Sequence, residues 1–131
     1  MSLQDKINSI HSFKDSLNGN LIGIEKEGLR VAEDGTIAQT PHPESFGSAL
    51  THPEITTDFS EALVEIVTKP IRGSHNVINE LAKIHHYVQR HLPESERFWP
   101  ASMPCILRGK TNIPIAYYGE SNIGKMKTVY R

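Results

Sequence analysis

The chain has 131 residues, a formal net charge of −1 and 37% hydrophobic residues, a composition that predicts one folded domain. The near-neutral charge gives no reason to expect nucleic acid or an anionic membrane as a partner, and no apolar run is long enough to span a bilayer. The N-terminus lacks the basic start and apolar stretch of a signal peptide, and the single cysteine, Cys105, suits a reducing compartment, so we expect a cytoplasmic protein.

The first predicted elements are a helix and a strand. Apolar residues at helical spacing predict an amphipathic helix over residues 2–17, with Ser2 as its N-cap. A strand over residues 20–31 follows. Asp34-Gly35 then predicts a tight reversal, because these residue types adopt the positive φ angles that hairpin turns need. Ile37-Ala38 would begin a short return strand.

The middle of the chain combines extended segments with a second strand. Two prolines keep residues 40–43 extended, and residues 44–50 fit a short turn or helix. Residues 61–68 are predicted to form the second strand, which Lys69-Pro70 ends. The two strands are therefore separated by a long irregular connection.

Ser74 is predicted to cap the clearest helix, and Pro93 to stop it. Its apolar stripe is formed by Val77, Ile78, Leu81, Ile84 and Val88. Beyond it, prolines punctuate short extended pieces, including residues 113–117. These elements predict an α+β fold whose strands do not form a regular parallel sheet.

Acidic side chains recur on and beside the two predicted strands. Strands project alternate residues onto one face, so Glu25 and Glu27 share a face, as do Glu61 and Glu65, with Asp58 at the edge. Any one of these carboxylates is more often only part of a solvated face. Together they would repel one another unless cations neutralise them. Magnesium is the expected cation, because it prefers hard oxygen ligands and commonly accompanies nucleotide phosphates.

The apolar residues between these carboxylates predict that the opposite face is buried against a core. They are Ile24, Ala62, Val64 and Ile66.

Other reactive side chains have simpler interpretations. His85 lies near the apolar stripe of the long helix and is expected to be a packing residue. His42 and His52 are each followed by proline and are expected to shape loops. Cys105 has no evident partner base, which favours a buried, inert thiol. Residues 119–125 resemble a phosphate-binding loop but lack the required Ser or Thr, so a basic loop near a nucleotide and an ordinary surface loop both stay open.

Six segments of the chain occur in a distinctive order and spacing: Gly23–Val31, Thr40–Pro43, Gly47–Pro53, Ile55–Leu63, Trp99–Cys105 and Tyr118–Gly124. Together they closely resemble the N-terminal quarter of bacterial glutamate–cysteine ligases. The resemblance runs from about residue 20 to residue 131.

The resemblance implies a partial glutamine synthetase-like fold, with a mostly antiparallel, curved sheet and flanking helices. It also implies ATP-dependent ligation of the γ-carboxyl group of L-glutamate to L-cysteine, the first step of glutathione biosynthesis. The implied ligands for Mg²⁺ or Mn²⁺ are Glu25, Glu27, Asp58 and Glu65. The implied substrate and catalytic residues are Phe59 and Tyr130 at the cysteine pocket and Arg131 near the transferring phosphate. The resemblance does not single out Glu61 as a ligand.

Members of that family are much longer, so residues 1–131 are expected to be one N-terminal segment of a longer catalytic domain. The expected partners are glutamate, cysteine, ATP and the remainder of the ligase, and the isolated chain is expected to be inactive. An exposed sheet edge would favour self-association of the segment. Two alternatives stay open at this stage: a non-catalytic, cation-binding fragment and a two-metal phosphohydrolase that uses the same carboxylates.

Overall fold

The structure, a computed structural model, describes residues 1–17, 19–108 and 112–130. Its helices are α1 (Leu3–Ser12), α2 (Lys14–Leu17), α3 (Ser74–His91) and α4 (Asn122–Val129), with a single 3₁₀ turn at Glu44–Phe46. Its strands are β1 (Leu21–Ile22), β2 (Glu25–Ala32), β3 (Ile55–Thr57), β4 (Leu63–Val67), β5 (Ile71–Arg72) and β6 (Glu96–Phe98). None of the described helices is long and apolar enough to cross a membrane.

Four strands form the main sheet in the order β3-β4-β2-β6, and every neighbouring pair is antiparallel. The short strands β1 and β5 pair with each other in a separate two-stranded sheet. The predicted α+β class with antiparallel strands is therefore confirmed. The long strand β2 sits inside the sheet because its first half pairs with β4 and its second half with β6.

Helix α3 covers one face of the main sheet. Val64 and Ile66 of β4 are fully buried on that face, and the helix contributes Ile84 and Val88 to the same cluster. Burying each such side chain contributes about 1.5–3 kcal/mol relative to leaving it in water. The predicted apolar stripe of the helix is confirmed except for Ile78, which is 52% exposed. The predicted cap was wrong, because Ser74 is the first residue of the helix and Gly73 occupies the N-cap position. On the opposite face of the sheet, Val31 packs in a second buried cluster with Ile37, Ala38, Ala62 and Cys105, whereas Glu25 and Glu27 near the start of β2 are exposed.

The predicted N-terminal helix is shorter than residues 2–17. Ser2 caps it as expected, since its hydroxyl accepts the Asp5 N–H at 3.1 Å. The helix then breaks after Ser12, whose hydroxyl donates to the Ser9 carbonyl at 2.7 Å. Such bonds compete with the regular helical ladder. No residue of α1 is buried, so no packing opposes the break.

The predicted strand over residues 20–31 is divided at Gly23-Ile24. The Ile24 N–H donates to the Thr68 hydroxyl at 2.9 Å, and the Thr68 N–H donates back to the Ile24 carbonyl at 2.9 Å. This pair of hydrogen bonds interrupts the strand, so β1 pairs with β5 and not with the main sheet.

The predicted reversal at Asp34-Gly35 is confirmed. Gly35 has φ +80°, and the Ala32 N–H donates to the Thr36 carbonyl at 2.8 Å. The return strand at Ile37-Ala38 is reduced to an isolated bridge between Val31 and Ile37.

Gly28 allows the ring of Phe98 to lie directly on β2. A Cβ atom at this position would come within 2.4 Å of Phe98 Cζ. We expect Gly28→Ala to lower the free energy of unfolding by about 1–3 kcal/mol, because the ring must shift within a packed core. Chemical denaturation measures the free energy of unfolding. Gly23→Ala is the matched control, since a Cβ atom there would lie 3.7 Å from its nearest neighbour, which is ordinary van der Waals contact. Equal stability of the two variants would contradict the proposed close packing.

Candidate functional site

The face of the sheet opposite α3 carries a row of carboxylates. Glu25 and Glu27 alternate along β2, and Glu65 of β4 lies directly opposite Glu27 in the antiparallel register. Directly opposite residues have Cβ atoms roughly 5 Å apart, and alternate residues on one strand are about 7 Å apart. Glu25 and Glu27 are exposed, and Glu65 is half-buried. Three of the predicted metal ligands therefore converge on one face.

Asp58 extends this arrangement beyond the end of β3. Its backbone N–H donates to the Leu63 carbonyl at 3.2 Å, so the antiparallel pairing continues for one residue past Thr57. Thr57 is fully buried on the helix side. Alternation therefore places Asp58 on the carboxylate face. Asp58 therefore lies opposite Leu63 of β4, and Leu63 is two residues before Glu65 on the same strand.

Like charges on directly opposite strand positions destabilise a sheet, so this face favours binding of a cation. Carboxylate oxygens are the ligands that magnesium and manganese prefer. In the described part of the chain, however, no three acidic, histidine or cysteine side chains are grouped closely enough to hold a metal ion by themselves. Carboxylate oxygens are the right type of ligand for a hard divalent cation, but further oxygen ligands are needed to complete a metal site.

Glu61 does not share this face, and the prediction that it does was wrong. The strand begins at Leu63 rather than at residue 61, and Glu61 lies in the preceding turn. Glu61 is only 7% exposed, and its carboxylate accepts backbone N–H groups of two other segments. Those contacts come from residues distant in sequence, which alternation along one strand does not reveal.

Two cavities adjoin the carboxylate face and share Leu29, Leu63 and Pro104 in their linings. The first, of about 430 Å³, is bordered by Glu27 and by residues 101–104. The second, of about 250 Å³, is bordered by Phe59 and Cys105. The second cavity is lined mostly by apolar side chains: Leu29, Ile37, Phe59, Leu63, Pro104, Leu107 and Ile113.

The predicted substrate residues are not all brought together. Phe59 is half-exposed and borders the apolar cavity. Tyr130 follows helix α4 and is 83% exposed, and neither cavity is lined by it. Arg131, the predicted catalytic residue, lies outside the described residues. The structure therefore places Phe59 at the apolar cavity that adjoins the carboxylate face, and the roles of all three residues stay predictions.

The simpler interpretations of the remaining side chains agree with the structure. Burial lowers the pKa of His85, which contacts the Phe98 ring edge-on with centroids 5.1 Å apart. The His52 ring accepts the N–H groups of Glu54 and Ile55, so it shapes the loop before β3. Cys105 is buried, and burial raises the pKa of its thiol. These residues serve packing and loop geometry.

Residues 119–121 lead into helix α4, and residues 122–125 form its first turn. Ser121 caps the helix, and its hydroxyl accepts the Gly124 N–H at 3.0 Å. Gly124 is required for space, because a Cβ atom there would lie 2.4 Å from the Tyr118 carbonyl oxygen. The glycines and the serine thus have a structural reason to be present.

A buried ion pair behind the site was missed from sequence. Arg30 is fully buried, and its Nη1 donates to Glu96 Oε2 at 2.8 Å. The same guanidinium donates to the Thr40 hydroxyl and carbonyl oxygens, each at 2.7 Å, and to the Glu61 carbonyl oxygen at 3.0 Å. Alternation along β2 puts Arg30 on the helix-covered face with Lys26 and Gly28, which signals its burial but not its partner, Glu96.

Comparison with known proteins gives one consistent family. A family model described as glutamate–cysteine ligase matches residues 6–131. The glutamate–cysteine ligase of Alcanivorax borkumensis is 53% identical over 116 residues, and that of Hahella chejuensis is 55% identical over 109 residues. These matches cover 88% and 83% of this chain but only 22% and 21% of the relatives. The chain therefore spans about a fifth of the length of the curated relatives it matches.

Two solved structures are similar as well. The glutamate–cysteine ligase of Francisella tularensis in complex with AMP matches with a TM-score of 0.79 and 39% identity, covering 84% of this chain and 22% of that one. A bifunctional glutathione synthetase from Pasteurella multocida matches with a TM-score of 0.77 and 35% identity, covering 95% and 16%. Both matches support the antiparallel α+β architecture described above.

Proposed function

The chain belongs to the glutamate–cysteine ligase family, and we propose that it supplies one part of the ATP-dependent site that joins the γ-carboxyl group of glutamate to cysteine. The observation that carries this proposal is the face on which Glu25, Glu27 and Glu65 converge beside an apolar cavity. A ligase of this kind must bring phosphates and a carboxylate together, and it must bind a small thiol-bearing amino acid nearby. The carboxylate face and the cavity suit these two tasks.

We propose that Glu25, Glu27, Asp58 and Glu65 hold Mg²⁺ or Mn²⁺ together with oxygen ligands from the rest of the enzyme and from ATP. The bound ions would neutralise charge on the phosphates and on the substrate carboxylate. The sheet fixes the spacing of Glu27 and Glu65, because each is held by the backbone ladder between β2 and β4. The rigid strands thus pre-organise the anionic donors before the substrates bind.

The acceptor side of the site is proposed to lie at the apolar cavity. Phe59 borders this cavity and would contact the side chain of the incoming cysteine, whose thiol is weakly polar. Tyr130 is proposed as a second aromatic contact and Arg131 as the cation near the transferring phosphoryl group, on the strength of the family resemblance alone. The cysteine amine would then lie close to the carboxylate face.

We expect the 131-residue chain alone to show no ligase turnover. It spans about a fifth of its relatives, and the described carboxylates do not complete a metal site by themselves. The measurement is phosphate release with ATP, glutamate and cysteine, made on this chain and on a full-length ligase that contains it. Cysteine-dependent turnover by the short chain would overturn the proposed incompleteness. Phosphate release that ignores cysteine would instead indicate a phosphohydrolase.

We also propose a cytoplasmic location, since the lone buried cysteine suits a reducing compartment. Self-association stays a prediction, although β3 offers a poor template for it. The Ile55 N–H donates to the His52 ring and the Thr57 carbonyl accepts from the Tyr118 hydroxyl, so side chains occupy backbone groups of this strand. Occupied backbone groups do not pair with another chain.

A further inference from the structure

Glu61 is a buried carboxylate that none of the proposed steps uses. It lies between Asp58 and Glu65 in sequence, yet it points away from the open face. Its Oε1 atom accepts the backbone N–H of His42 at 2.8 Å, and its Oε2 atom accepts the backbone N–H of Tyr117 at 2.6 Å. One side chain therefore ties together three segments that are distant in sequence.

Backbone contacts fasten the same turn to the same neighbours. The Glu61 N–H donates to the Pro114 carbonyl at 2.8 Å, and the Ala116 N–H donates to the Phe59 carbonyl at 3.1 Å. On the core side, Arg30 Nη2 donates to the Glu61 carbonyl at 3.0 Å. The turn thus has one defined position relative to β2 and to the segment 114–117.

Asp58 and Phe59 occupy this turn. Resting on the proposed function above, we propose that Glu61 is a positioning residue. Its carboxylate holds the backbone of residues 58–62 so that Phe59 faces the apolar cavity and Asp58 joins the row of Glu27 and Glu65. Glu61 itself touches neither substrate nor metal.

A carboxylate is the group that this position requires. Both of its oxygens accept hydrogen bonds, whereas an amide offers one accepting oxygen and one donating NH₂ group. In Glu61→Gln one of the two N–H groups, of His42 or of Tyr117, would face another donor in a buried site. The turn must then move to relieve that contact, and Phe59 moves with it.

The test uses a full-length chimera in which this chain replaces the matched segment of the Alcanivorax borkumensis ligase. We expect Glu61→Gln to raise the KM for cysteine about 10- to 100-fold through the displaced Phe59, and to lower kcat through the displaced Asp58, because misplacement by about 1 Å costs up to that factor. Glu120→Gln is the matched control. Its exposed carboxylate accepts the Tyr117 hydroxyl at 2.7 Å but holds no backbone of the turn.

A merely structural role gives a different pattern. Simple destabilisation would lower the amount of active enzyme, so the apparent kcat would fall while the KM for cysteine stayed at its wild-type value. That pattern, or a wild-type KM with unchanged kcat, would overturn the proposal. If Glu61→Gln does not accumulate as folded protein, Glu61→Asp replaces it in the same assay, because its shorter carboxylate cannot accept both N–H groups. A rise in the KM for cysteine is expected there too.

Amide hydrogen exchange on the wild-type chimera tests the contacts without any substitution. The amides of His42 and Tyr117 lie outside regular strands, and we expect them to exchange as slowly as those of β2 and β4. Fast exchange at both positions would overturn the proposal whatever the kinetics show. An inactive wild-type chimera with slow exchange would count against the proposed function, while the contacts of Glu61 would stand.

Discussion

Glu27→Gln in a full-length ligase that carries this segment is expected to lower kcat/KM about 100-fold or more, because it removes a proposed metal ligand at the centre of the carboxylate face. Its direct neighbour across the sheet is Glu65. Glu65→Gln should therefore cause a loss of similar size. Steady-state ligation rates at saturating ATP and Mg²⁺ give the comparison.

Glu27→Gln should impair ligation, yet it should stabilise the fold when no metal is bound. Two carboxylates directly opposite each other are unfavourable, so removing one charge should raise the free energy of unfolding by about 0.2–1 kcal/mol. Glu94→Gln is the matched control, since Glu94 is exposed in the turn between α3 and β6. Near-normal ligation by both Glu27→Gln and Glu65→Gln would remove these residues from the metal site.

Arg30→Met is expected to lower the free energy of unfolding by about 3–5 kcal/mol, because it leaves the Glu96 carboxylate buried without its cation. The side chains of Arg30 and Glu96 are 0% and 3% exposed, so water cannot replace the lost contact. Urea denaturation measures this change in the free energy of unfolding, with the fluorescence of Trp99, the single tryptophan, as the probe.

The double variant Arg30→Met with Glu96→Leu provides the control for this second prediction. Replacing both members of a buried ion pair by apolar residues is often close to neutral. We therefore expect the double variant to recover much of the stability lost in Arg30→Met. A loss below about 1 kcal/mol in the single variant would show that the pair is hydrated and not buried as described.

The periodicity of the sequence predicted the features that depend on residues close together along the chain. Alternation placed Glu25 and Glu27 on one face of β2, and helical spacing predicted the apolar stripe of α3 that ends at Val88. These predictions succeeded because strand and helix geometry fix which side chains share a face. The metal-ligand roles of these carboxylates came from the family resemblance and stay proposals.

Features that depend on distant residues were not predicted. The pairing of Arg30 with Glu96 spans 66 positions, and that of Glu61 with Tyr117 spans 56 positions. Ile24 leaves the strand because Thr68 binds it from 44 positions away. Each of these hydrogen bonds overrides a local preference, and no local pattern in the sequence signals its partner.

A crystal structure of a full-length ligase carrying this segment, with Mg²⁺ and an unreactive ATP analogue bound, would test the proposed metal site most directly. We expect carboxylate oxygens of Glu27 and Glu65 about 2.1 Å from bound magnesium, with nucleotide phosphates on the same ions. Magnesium and nucleotide bound elsewhere, with both carboxylates facing bulk water, would rule out the proposed site.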